Sequence, residues 1–99
     1  MDTVALTVID VEHTRPHEAA VAARCLVRLS VGATLHDTGQ AAALRITTIE
    51  RYPGVYVDAV EPPHAARIVL RGERANMIEP GAQLIIRDEQ HAETSTHKS

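Results

Sequence analysis

Apolar and polar positions alternate over short stretches along most of the chain, which is the period of half-buried β-strands. The clearest stretch is "AAVAARCLVRLS". Val21, Ala23, Cys25, Val27 and Leu29 fall on one face, Arg24, Arg28 and Ser30 on the other, and Leu26 is the exception. Its alanines also suit a helix, which would likewise put both arginines on one face. The β-branched content and the Val31-Gly32 break favour a strand. "AARIVLRG" repeats the pattern, with Ala66, Ile68 and Leu70 opposed to Arg67 and Arg71. "TVALTVIDVE" reads as the first strand and "HTRPHE" as its connection, because Pro16 cannot donate to a ladder.

After Gly32, "ATL" predicts a short extra strand and "HDTGQ" a turn. "AALRITTIER" is a strand with apolar residues on both faces, as a curved sheet or barrel requires. Pro53-Gly54 predicts a tight turn before a strand from Val55, and Pro62-Pro63 closes that segment. "IVLRGERANMIEPGAQLII" reads as strand, bent connection, strand, with Ile78 tucked down to anchor the connection. Six or seven short strands between Gly and Pro turns predict an all-β barrel or sandwich. We expect one domain over residues 1–87. Residues 88–99, "DEQHAETSTHKS", contain no apolar residue larger than Ala and read as a disordered tail.

Composition narrows the function classes. The 99 residues suffice for one small core, and its side chains are aliphatic, since Tyr52 and Tyr56 are the only aromatics. The net charge of −3 is opposite to that of a dedicated nucleic-acid binder, so RNA contact would need a local basic patch. One cysteine excludes an intrachain disulfide and fits a reducing cytoplasm. The N-terminus does not read as a secretory signal, and no apolar run reaches the roughly 18 residues of a membrane span.

Two blocks carry a family resemblance. In the first, Asp10-Val11, Val21, Arg24 and Val31-Gly32 occur in order. In the second come Ile49-Glu50, Asp58-Ala59, Leu70-Arg71-Gly72, Ile78-Glu79, Gly81 and Leu84. Over Val4 to Arg87 the chain resembles the second, β-barrel domain of translational GTPases such as elongation factor Tu. The resemblance implies a closed six-stranded Greek-key barrel of the translation-protein type, with glycines serving positive φ or close approach. It also implies that Arg71 braces the turn that follows it. Departures bear on function. Glu12 stands where the family carries an aromatic, Pro16-His17-Glu18 where it carries glycines, and Pro62-Pro63-His64 where it usually has Ala-Gly and a polar residue. In elongation factors the face near that aromatic helps hold the aminoacylated end of transfer RNA, and here that face is altered.

No phosphate-cradling G-x-x-x-x-G-K-[ST] loop occurs, and the single lysine is Lys98, so GTP binding is not expected. His13 and His17, beside Glu12 and Glu18, give four candidate metal donors close in sequence, but they lie in a proline-containing segment read as a flexible polar loop. His36, His64, His91 and His97 read as exposed. Cys25, facing inward between Ala23 and Val27, reads as a buried structural thiol rather than a nucleophile. No carboxylate pair suggests acid–base work. The chain is therefore read as non-catalytic, without cofactor or metal.

Two binding candidates remain. Arg24, Arg28, Arg67 and Arg71 would form a basic stripe for an anion or RNA if their strands are neighbours. The plainer reading pairs them across strands with Glu or Asp. Tyr52 and Tyr56 flank the Pro53-Gly54 turn, either as anchors of a protein interface or as a cross-strand pair. A stand-alone module binding a protein partner is the favoured expectation, without a membrane. The alternative is a translation-associated module contacting ribosomal or transfer RNA.

Overall fold

A computed structural model of the chain describes residues 2–38 and 43–87. Its strands are β1 (Asp2–Arg15), β2 (Glu18–Cys25), β3 (Leu29–Ser30), β4 (Thr34–Asp37), β5 (Ala43–Tyr52), β6 (Val55–Val57), β7 (Ala59–Val60), β8 (Ala65–Arg71) and β9 (Gln83–Arg87). One turn of 3-10 helix spans Ala75–Met77. Among the described residues no helix is long and apolar enough to cross a membrane. The expected tail, with His91 and His97, lies outside the described residues, as does the end of the predicted "HDTGQ" turn.

All pairings are antiparallel. Six strands form a hydrogen-bonded ring in the order β4-β9-β1-β2-β8-β5, closed by β4 on β5. The ring is not a regular barrel. Its closing strand meets β9 at two register pairs, His36 with Ile85 and Asp37 with Leu84. β1 has register shifts between Val8 and Asp10 and between Val11 and His13. Such bulges bend a strand and raise its twist, which lets a 14-residue strand follow the curve.

The 10-residue β5 organises one side. Along one edge it pairs with β8. Its other edge is shared in series, by β4 opposite Ala43 to Arg45 and by β6 opposite Ile49 to Tyr52. β6 therefore stands outside the ring, paired with β5 alone among the described residues. Between β4 and β6 the chain packs β3 against β7, and Ile46 ties to this segment by Gly32 N–H to the Ile46 carbonyl (2.8 Å) and Ile46 N–H to the Ala33 carbonyl (2.9 Å).

The inward faces supply the core. Leu6, Val8, Val21, Leu35, Leu44, Ile46, Ile49, Ile68, Leu70 and Leu84 are fully buried. Each such side chain contributes about 1.5–3 kcal/mol relative to exposure. The predicted alternation of β8 holds, with Ala66, Ile68 and Leu70 inside. The bent connection after β8 is confirmed, and Ile78 is buried against the core as its anchor.

Several expectations are corrected. "AAVAARCLVRLS" is not one strand: β2 stops at Cys25, whose N–H donates to the His64 carbonyl (3.0 Å), while Leu26 N–H donates to the Ala5 carbonyl (2.8 Å). These bonds turn the chain away, and Leu29 pairs with Val60 instead of continuing along β8. The "HTRPHE" connection shrinks to Pro16-His17, because the ladder runs through to Arg15 opposite Glu18. His17 has φ +66°, which makes this a tight turn rather than a flexible loop. His36 is buried rather than exposed, because β4 lies between β5 and β9.

Candidate functional site

The β5–β6 hairpin carries the largest exposed side chains near one another. Pro53 leads the turn and Gly54 follows with φ +80°, the left-handed position that a type II turn requires. The Glu50 carboxylate accepts the Gly54 N–H at 2.7 Å, fixing the turn to β5. A register shift between Glu50 and Tyr52 sets Tyr52 opposite Val55 and Tyr56 opposite Glu50. The tyrosines are thus not a cross-strand pair. Tyr52 is 58% exposed, Val55 48% and Tyr56 63%. The Arg51 guanidinium lies 4.5 Å from the centre of the Tyr52 ring, and its Nη1 donates to the Ala65 carbonyl at 3.3 Å. This restrains one ring while leaving most of it in solvent.

Beside the hairpin is a groove of about 510 Å³, lined by Ala22, Ala65, Ala66, Arg67, Tyr52 and Pro53 among others. The alanines make it largely apolar. Glu12 and Glu50 also line it, and both bond Arg67.

The four arginines come only partly together. β2 and β8 are neighbours, with Ala22 opposite Arg67 and Arg24 opposite Ala65, so Arg24, Arg67 and Arg71 lie on one outer face. Arg67 Nε donates to Glu12 Oε1 at 2.5 Å and Nη1 to Glu50 Oε1 at 3.3 Å. The hydrogen bond to Glu12, reinforced by the charges of Glu12 and Glu50, raises its pKa above the ordinary arginine value. Arg28 lies beyond the end of β2 and donates through Nε to Glu61 Oε2 at 2.8 Å. Pairing with glutamates therefore occupies two of the four, across strands for Arg67 and between loops for Arg28. Arg24 donates to the Pro63 carbonyl at 3.2 Å. The Arg71 side chain makes no hydrogen bond or ion pair among the described residues. The turn after it is braced instead by Gly72 N–H to the His17 carbonyl at 3.0 Å.

His13 sits in β1 opposite Ala20, and His17 in the turn that follows. Among the described residues no group of three His, Cys, Asp or Glu could hold a metal ion. Cys25 is buried, and that burial raises its thiol pKa, opposed by the smaller effect of the Arg51 charge. A neutral, inaccessible thiol is a poor nucleophile.

The sequence reading missed Arg45, which β5 places directly opposite Arg71. That register depends on a shift between Ile46 and Thr48, which no residue pattern announces. The convergence of Glu12 and Glu50 on Arg67 was missed for the same reason. Compared with protein-family models, with curated proteins and with solved structures, the chain matches none.

Proposed function

We propose that this chain is a non-catalytic binding module that docks a protein partner on the β5–β6 hairpin. The observation that carries the reading is the joint exposure of Tyr52, at the end of ring strand β5, and of Val55 and Tyr56 on β6, which lies outside the ring. Tyrosine offers a large, rigid contact area, and it is enriched where interfaces gain most of their affinity. Among the described residues β6 pairs on one side only, so its other edge can accept an extended segment of a partner. The neighbouring groove, with its alanine lining and Arg67 held between two glutamates, adds an apolar cleft with a fixed polar rim. As part of the same proposal, the ring is a divergent form of the translation-factor β-barrel. Its six antiparallel strands and the sequence blocks quoted above support that assignment.

The RNA alternative has weaker support. Glutamates occupy Arg28 and Arg67, leaving Arg24 and Arg71 as the members of the stripe without an ionic partner among the described residues.

The test is affinity capture from nuclease-treated extract with the unaltered protein and with a Tyr52→Ser, Tyr56→Ser double variant. The recovered protein is then purified and its binding measured directly. We expect a partner that survives nuclease and loses at least tenfold in affinity for the double variant, while Arg24→Glu binds as before. Equal capture by both proteins, or capture abolished by nuclease, refutes the reading.

A further inference from the structure

At the other end of β8 from the hairpin groove is a second groove of about 590 Å³. Arg45, Arg71, His17, Gly72, Thr47 and Gly32 line it, and it shares no lining residue with the first. Three features converge there, and the first two cost stability. Arg45 and Arg71 stand directly opposite on adjacent strands, and like charges in that relation repel. His17 holds φ +66°, a conformation that a glycine would take at lower cost. Gly72 comes against β5 so closely that a Cβ on it would lie 2.3 Å from the Ala43 carbonyl oxygen.

Carboxylates are near and offset part of the repulsion, but neither closes an ion pair with Arg45 or Arg71. Glu18 stands opposite Arg71 on β2, and Glu73 lines the groove. Among the described residues no ion pair joins either carboxylate to Arg45 or Arg71. This differs from Arg67, which the fold surrounds with two glutamates. Two arginines side by side on adjacent strands, both lining one groove, supply planar forks of donors, which match the oxygens of a tetrahedral anion.

We propose that this groove binds a phosphate group between Arg45 and Arg71, as free phosphate or as the phosphomonoester of a small molecule. An anion there cancels the cross-strand repulsion, so binding and stability are linked. The groove volume leaves room beyond the phosphate for the rest of a small ligand.

The test is titration of the full chain with inorganic phosphate, followed by NMR and by the thermal midpoint, against chloride at equal ionic strength. A second arm uses glycerol phosphate, which separates the two sources of the group. We expect saturable shifts centred on Arg45, Arg71 and Gly72 and a rise in midpoint beyond that given by chloride. Tighter binding of glycerol phosphate identifies the ester as the ligand, and equal or weaker binding identifies free phosphate. Arg45→Gln and Arg71→Gln should each weaken binding at least tenfold and should melt higher than the unaltered protein without phosphate. Arg87→Gln, on β9, should bind unchanged. Circular dichroism establishes that each variant is folded. Shifts that chloride reproduces, no saturation, or binding retained in both glutamine variants overturns the proposal.

Discussion

The Cβ that Gly72 lacks would lie 2.3 Å from the Ala43 carbonyl oxygen and 3.0 Å from Leu44 Cδ2. The nearer atom is backbone of a ring strand, so it cannot swing aside. Gly54 differs, because nothing lies within 4 Å of its missing Cβ and its constraint is φ +80°. Gly72→Ala should therefore cost about 2–3 kcal/mol, and Gly54→Ala about 1–2 kcal/mol. Asparagine tolerates the left-handed region, so Gly54→Asn should recover part of the loss while Gly72→Asn recovers none. Urea unfolding of the four variants checks this, and equal responses of the two sites would contradict it.

Arg67 joins Glu12 of β1 to Glu50 of β5 across the face of β8. The groups are partly exposed, so we expect a coupling of about 0.5–1 kcal/mol between Arg67 and Glu12 in a double-mutant cycle. Salt at about 1 M shortens the screening length to roughly 3 Å, and the coupling should fall by more than half. A coupling indifferent to salt would mean that packing of the arginine stem is the source.

Burial raises the pKa of the Cys25 thiol. Above about pH 8.5 an unfolded thiol releases its proton while the folded one retains it. The folded state then binds more protons than the unfolded state, so stability falls as pH rises until the folded thiol also ionises. Cys25→Ala should cost about 1–2 kcal/mol at pH 7, and the gap to the unaltered protein should narrow at pH 10. Urea midpoints at the two pH values measure this. A gap that stays constant would show that the thiol does not titrate differently on folding.

How much of this was legible in sequence depended on how local the cause was. Ala66, Ile68 and Leu70 alternate with Arg67 and Val69 because β8 has one buried face, and that pattern is written in consecutive residues. The Pro53-Gly54 turn is equally local. The end of β2 is not, since Leu26 and Val27 would continue a strand by composition, and the bonds from Cys25 to His64 and from Leu26 to Ala5 divert it. The burial of His36 depends on neighbours on β5 and β9, brought there only when the ring closes. The two sites divide in the same way. The tyrosine hairpin announces itself through rare residues beside a turn, whereas the meeting of Arg45 with Arg71 follows from one register shift in β5.

The serial sharing of the β5 edge separates two tasks that small domains often combine. Closure uses the stretch from Ala43 to Arg45, and the spur formed by β6 hangs on the stretch from Ile49 to Tyr52. Changes in sequence or length at the tip of that spur need not disturb the seam. The molecule can thus vary its contact chemistry while its scaffold stays constant, much as a handle can be reshaped without recutting the vessel.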